Sequence, residues 1–184
     1  MKNILLIVDP QNDFCEGGSL AVSGAKEAMK KLSEHIKNTD YDFIAVTMDS
    51  HVENHCSFIE YGGIWPKHCV LFTHGWDIEE NLDKVLFDNY NKVEYYRKGI
   101  IDEEYSIFDN KEDGYVLFYD IKSKEDFIIN ICGIAGDYCV LETIKGLLRH
   151  FDPSMINVLT EYTASIDGGE KLNQFIKDNN LLWK

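Results

Sequence analysis

Two rhythms of apolar and polar positions divide the chain. Apolar, β-branched and aromatic runs predict strands at residues 3–8 (NILLIV), 42–48 (DFIAVTM), 93–98 (VEYYRK), 126–132 (DFIINIC) and 155–160 (MINVLT). The uninterrupted run at 3–8 suits a central parallel strand covered on both faces. Apolar residues spaced three and four apart predict helices between them. One covers 24–38, with Ala28, Leu32 and Ile36 on a single face, and a weaker one covers 78–87. Another begins at Cys139 and ends near Phe151, with Val140, Ile144, Leu147 and Phe151 in one stripe. The last covers 169–179, and LLWK at 181–184 reads as a short final strand. Segment 115–124 (YVLFYDIKSK) fits either rhythm; a helix with its aromatic residues toward the sheet is favoured. Two segments have no rhythm: the Gly-, Asn- and Asp-rich stretch at 10–22, and a long loop from Asp49 to Asp77. Strands alternating with helices predict a three-layer α/β/α sandwich with a mainly parallel central sheet, as a single domain over residues 1–184.

Composition narrows the class. At 45% hydrophobic and 27% charged, the 184 residues suit a globular chain with one sizeable core. No apolar run reaches the roughly 20 residues of a membrane span. The opening MKNILLIVDP meets Asp9 and Pro10 rather than a small-residue cleavage site, so it reads as a strand and not a signal peptide. The expectation is a cytoplasmic protein. A formal net charge of −14 argues against nucleic acid as a partner. The five cysteines are odd in number and form no C-x-x-C pair, which reads as free thiols.

The strand ends carry the candidate chemistry. Asp9 follows the first strand, Asp49 the second, Lys98 ends the third, and Cys139 lies just beyond the fourth. Carboxyl ends of parallel strands share one edge of the sheet, where open α/β sheets place ligands. An acid, an amine and a thiol meeting there suit nucleophilic attack on a carbonyl. The carboxylate would take the thiol proton and return it to a leaving amine. Cys139 follows breaks at Gly133 and Gly136 and opens a helix, where the dipole favours a thiolate and free N–H groups suit an oxyanion. Taken alone, the segment ICGIAGDYCVLETI reads equally as a buried structural cysteine, and an acid or lysine at a strand end as a solvated loop residue.

The long loop holds four of the six histidines: His51, His55, His68 and His74. A loop of this length in a compact domain is usually functional. Asp49 and His51 share a face on extended backbone, and His68 follows seventeen residues later. One carboxylate and two imidazoles suit a divalent transition metal such as Zn, Fe or Mn. His55 joins His51 on one face if that turn is helical. Without the rest of the chain, a D-x-H pair reads as solvated loop. His35, His74 and His150 read as structural or surface residues. Phe14, Trp65 and Tyr105 could wall a flat heteroaromatic ring, or serve as ordinary core and rim residues. The acidic runs DIEENLD and NKEDG read as solvated faces.

The pieces VDPQNDFCEGGSL, TMDSHVENHCSF, GGIWPKHCV, RKG followed by YSIF, and GIAGDYCV occur in this order over most of residues 3–145. Together they resemble the nicotinamidase branch of the isochorismatase-like cysteine hydrolases; the last 40 residues match only in pattern. The resemblance implies a triad of Asp9, Lys98 and Cys139. It implies a metal on Asp49, His51 and His68, with His55 as a variant ligand. It implies a pyridine pocket of Phe14, Trp65 and Tyr105, an oxyanion hole from the N–H groups of Ala135 and Cys139, and a cis peptide between Ile134 and Ala135. The implied activity is a metal-dependent hydrolysis of nicotinamide and pyrazinamide through a thioester, with zinc foremost and Fe or Mn as alternatives. The implied partner is a small-molecule amide, with no nucleic acid and no membrane, and with assembly into a homo-oligomer left open. Two departures from the pattern stand out. Gly136 replaces a residue with a side chain beside the oxyanion turn, and LFTHGWD replaces a glycine-rich segment expected near the pocket entrance. Rival readings are a related hydrolase of another amide or ureido compound and a non-catalytic binding protein. Relatives that cleave isochorismate lack the metal group.

Overall fold

A computed structural model describes residues 1–183. Its strands are β1 (Lys2–Val8), β2 (Phe43–Asp49), β3 (Val93–Lys98), β4 (Phe127–Ile134), β5 (Ile156–Ala164) and β6 (Leu182–Trp183). Its helices are α1 (Ala25–Lys37), α2 (Glu80–Asp88), α3 (Lys111–Lys122), α4 (Leu141–Leu148) and α5 (Glu170–Asp178). The strands form one sheet in the order β3-β2-β1-β4-β5-β6, and every pairing is parallel. Alternate residues of β1 divide the interior in two. Leu5 and Ile7 pack with Met29 and Leu32 of α1 and Leu82 and Leu86 of α2. Ile4 and Leu6 pack with Leu117 of α3, Ile144 of α4 and Ile176 of α5. The sheet is therefore covered on both faces, which is why β2 is buried at every position and reads as a continuous apolar run. Among the described residues no helix is long and apolar enough to cross a membrane.

The order places β2 and β3 on one side of β1 and β4 on the other. This reversal is the switch point at which ligands settle, beyond the strand carboxyl ends. β4 continues through Gly133, where the sequence predicts a break. Gly133 has φ +131°, and a Cβ there would lie 2.1 Å from the carbonyl oxygen of Val8, so only glycine lets β4 run on against β1. β5 runs to Ala164, with a register shift opposite Ile131 and Gly133.

Helix α3 starts earlier than the pattern suggests, because the Asn110 side chain accepts a hydrogen bond from the Glu112 N–H and caps it. Its tyrosines do not face the sheet. Tyr115 and Tyr119 are 52% and 65% exposed, while Leu117 and Ile121, one helical turn apart, are fully buried. The run DIEENLD is not wholly solvated: Glu79 is buried and caps α2 by accepting from the N–H groups of Asn81 and Leu82. The final strand is Leu182–Trp183; Lys184 lies outside the described residues.

An amide ladder pins three strands at the opposite end of the sheet from the switch-point rim. Asn130 of β4 donates to Asn3 Oδ1 at 2.7 Å and to the Ile4 carbonyl at 3.1 Å, and Asn157 of β5 donates to Asn130 Oδ1 at 2.8 Å. Replacing Asn130 by Leu would leave the buried Asn157 amide and the Ile4 carbonyl without these bonds. The expected cost is about 2 kcal/mol, read as a lower urea midpoint with an unchanged slope.

Candidate active site

Four side chains meet at the carboxyl rim of β1, β2, β3 and β4. Asp9, one residue past β1, turns the chain with φ +48°. Its N–H donates to the Thr47 carbonyl at 3.0 Å, and its Oδ1 accepts from the Thr47 hydroxyl at 2.8 Å. Lys98 ends β3 and is 1% exposed. Its ammonium lies 2.8 Å from Asp9 Oδ2 and 3.0 Å from Asp49 Oδ1. It also donates to the Glu104 carbonyl at 3.3 Å and to Cys139 Sγ at 3.7 Å. The structure thus brings Asp9, Lys98 and Cys139 together around one ammonium.

Electrostatics fix the resting charges. Burial would lower the Lys98 pKa, but Asp49 and Asp9 outweigh it and hold the amine charged, well above its ordinary value. Burial would raise the Asp49 carboxyl, but Lys98 and His51 outweigh it and hold it well below the usual range. Asp9 is raised, by burial against the opposing pull of Lys98 and with Asp49 adding. Cys139 does not follow the sequence expectation of an acidified thiol. Burial pushes it well above the ordinary value; Lys98 opposes, while Asp9 and Asp49 add. It is 8% exposed and stands in a π-type turn, Gly136–Val140, rather than in the first turn of an α-helix. In that turn the N–H groups of Tyr138 and Val140 both donate to the Ala135 carbonyl, each at 3.1 Å. The resting sulfur is therefore a thiol that needs a base. The Ile134–Ala135 peptide is cis.

A second group shares Asp49. Its Oδ2 lies 3.0 Å from His51 Nε2 and 3.5 Å from His68 Nε2, and the three ligand atoms fall within 4.8 Å of one another. His51 Nδ1 bonds the Gly99 carbonyl, and His68 Nδ1 bonds the Pro66 carbonyl at 2.7 Å. A carbonyl only accepts, so both rings carry hydrogen on Nδ1 and direct Nε2 toward Asp49 Oδ2. His51 Nε2 is buried and makes no directed hydrogen bond. The donor set fits a divalent cation. His55 stands behind it, stacked on His51 at 4.1 Å between ring centres. Its Nε2 donates to the Asp102 carbonyl at 3.1 Å and its Nδ1 meets the Ser57 hydroxyl at 2.7 Å, so both nitrogens are engaged elsewhere.

Phe14, Trp65 and Tyr105 line one cavity with Cys139, Ala135 and the Asp49–His51–His68 group. Trp65 Nε1 donates to the Tyr105 hydroxyl at 3.1 Å, which donates to Glu103 at 2.7 Å, so the polar atoms of both rings are satisfied within the wall. His35 meets Tyr41 and Tyr162, His150 packs against Phe108 and Phe118, and His74 is exposed, all away from the cavity.

Several contributors escape sequence reasoning. Tyr138 joins the wall, edge-on to Trp65 at 5.2 Å. Gln11 clamps the Asp49 backbone, accepting from its N–H and donating to its carbonyl, both at 2.8 Å. Asp13 accepts from the Cys69 N–H at 2.8 Å and so fixes the loop beside His68. Gly75 lets Asp13 lie there, because a Cβ would meet Asp13 Oδ2 at 2.0 Å. The segment LFTHGWD supplies no residue to the cavity lining and braces the strand end beside Asp49: Trp76 donates to Ser50 and accepts from Gln11. Nor does Gly136 leave a gap, since Ser165 Oγ stands 2.1 Å from where its Cβ would be. The only sequence signal for Gln11 and Asp13 is their place directly after a buried strand.

Comparisons with known proteins bear on the fold and the family. No family model matches the chain. The nicotinamidase/pyrazinamidase of Mycobacterium tuberculosis is 34% identical over 167 residues, covering 88% of this chain and 86% of its own length. The crystal structure of the pyrazinamidase of Pyrococcus horikoshii in complex with zinc matches with a TM-score of 0.79 at 28% identity, over 100% of this chain and 99% of that one. PnC1 of L. infantum in complex with nicotinate matches with a TM-score of 0.84 at 27% identity, over 100% of this chain and 92% of that one.

Gly99 joins the two groups. It has φ +65°, and a Cβ would lie 2.9 Å from both Asp49 Oδ1 and His51 Cε1. Gly99→Ala is expected to weaken divalent-metal binding by about tenfold or more, through displacement of Asp49 and His51. Calorimetric titration of the metal-free protein measures this, with circular dichroism confirming that the fold is retained.

Proposed function

Because the chain belongs to the nicotinamidase/pyrazinamidase family, we propose that it hydrolyses nicotinamide to nicotinate and ammonia, and pyrazinamide to its acid and ammonia. The observation that supports this most is the buried Lys98 ammonium in contact with Asp9, Asp49 and Cys139 at once.

The Asp9 carboxylate takes the proton from the Cys139 thiol, and the sulfur attacks the amide carbon. Burial raises Asp9, which makes it a stronger base than a solvated carboxylate. Lys98 keeps its proton and balances the negative charge as it moves from oxygen to sulfur. The N–H groups of Ala135 and Cys139 receive the carbonyl oxygen as it becomes negative. When the C–N bond breaks, Asp9 gives its proton to the departing nitrogen, releasing ammonia and leaving a Cys139 thioester. Asp9 then takes a proton from water, whose oxygen attacks the thioester carbon. The acid leaves, and the sulfur recovers its proton from Asp9. Phe14, Trp65 and Tyr105 hold the ring. Asp49, His51 and His68 would hold a divalent metal, zinc first among the candidates. Such an ion, when bound, supplies an electrophilic partner for a pyridine nitrogen. The five free cysteines suit a reducing compartment, and we place the enzyme in the cytoplasm.

The zinc-loaded protein is expected to release ammonia from nicotinamide, and Cys139→Ala to lower kcat by about 10³-fold or more. Absence of ammonia from the loaded wild-type protein would overturn the substrate, and full activity of the alanine variant would overturn the mechanism. Dialysis against a chelator is expected to lower both turnover and the melting temperature, and added zinc to restore both.

A further inference from the structure

The Gly136–Val140 turn, which carries Cys139, is held from behind by the segment that opens α5. Asp137, 4% exposed, sends its carboxylate to the N–H groups of Ile166 at 2.9 Å and Asp167 at 3.3 Å. Asp167 in turn caps α5, accepting from the N–H groups of Gly169 at 2.7 Å and Lys171 at 2.9 Å. Lys171 closes the circuit. Its ammonium donates to the Asp137 carbonyl at 3.0 Å and lies 5.2 Å from the centre of the Tyr138 ring, over its face.

These contacts act on one peptide plane. The unit between Asp137 and Tyr138 has its N–H on the Ala135 carbonyl at 3.1 Å and its oxygen on Lys171. Held at both ends, it cannot rotate without breaking a hydrogen bond. The next plane along the chain carries the Cys139 N–H. We propose that Lys171 is a positioning residue: it fixes the 137–138 peptide, and through it the direction of the Cys139 N–H and the seat of Tyr138. This rests on the amidase reading for its kinetic part only. Lys171 is itself exposed and lies outside the cavity lining, so its loss leaves the two core clusters intact.

An oxyanion donor contributes mainly as charge develops, so its misalignment lowers kcat more than it changes KM. Lys171→Met is therefore expected to lower kcat for nicotinamide about tenfold with KM within about twofold. Lys171→Arg, which can still donate to the carbonyl and lie over the ring, is expected to recover most of that loss. Hydrogen exchange gives a reading independent of substrate. The amides of residues 138–140 in the Met variant should exchange about tenfold faster, with those of β1 and β2 unchanged. Wild-type exchange at 138–140 in the Met variant overturns the proposal, as does equal loss of kcat in the Met and Arg variants. If wild-type protein does not turn over nicotinamide, the amidase reading fails and the exchange measurement alone decides for or against the positioning role.

Discussion

One ammonium group organises the rim of this sheet. Lys98 is buried at the end of an edge strand with two carboxylates and a thiol around it. A buried charge persists only when it is paired, and removal of one partner is costly because the other is left uncompensated. Asp9 and Asp49 cannot both be ionised here without Lys98, nor can Lys98 stay charged without them. Lys98 holds one oxygen of Asp49, and the other faces His51 and His68, where its charge would help balance a divalent cation. The Asp9–Lys98–Cys139 cluster and the Asp49–His51–His68 cluster are thus two halves of one charge balance.

Backbone carbonyls decide which histidines are free to ligate. Gly99 and Pro66 each take the Nδ1 hydrogen of a ring whose Nε2 faces inward. The Asp102 carbonyl takes the Nε2 hydrogen of His55 and so engages that nitrogen. The same residue type, four positions away in the chain, has its Nε2 occupied by one carbonyl oxygen.

The sequence shows the layered fold plainly, because strands buried on both faces are continuous apolar runs and amphipathic helices leave a stripe. It also shows that Asp9, Asp49 and Lys98 lie at strand ends, and parallel topology then puts them on one rim. What it hides is burial and long-range pairing. The Cys139 pKa moves opposite to the local expectation, because burial depends on packing from α3, α4 and α5 and not on position in a turn. The π-type turn has no periodic signature. Gln11 and Asp13 look like solvated loop residues until Asp49 and Cys69 arrive from 38 and 56 positions away. Gly136 looks like a defect until Ser165 is seen against it. In α3, aromatic residues outweigh Leu117 and Ile121 in the written pattern, yet the aliphatic pair faces the core.

Asp49 gives one oxygen to Lys98 and the other to the two imidazoles. A shorter or uncharged side chain at this position would disturb both clusters together. Bifurcation of a single carboxylate makes the two clusters mechanically inseparable at this point.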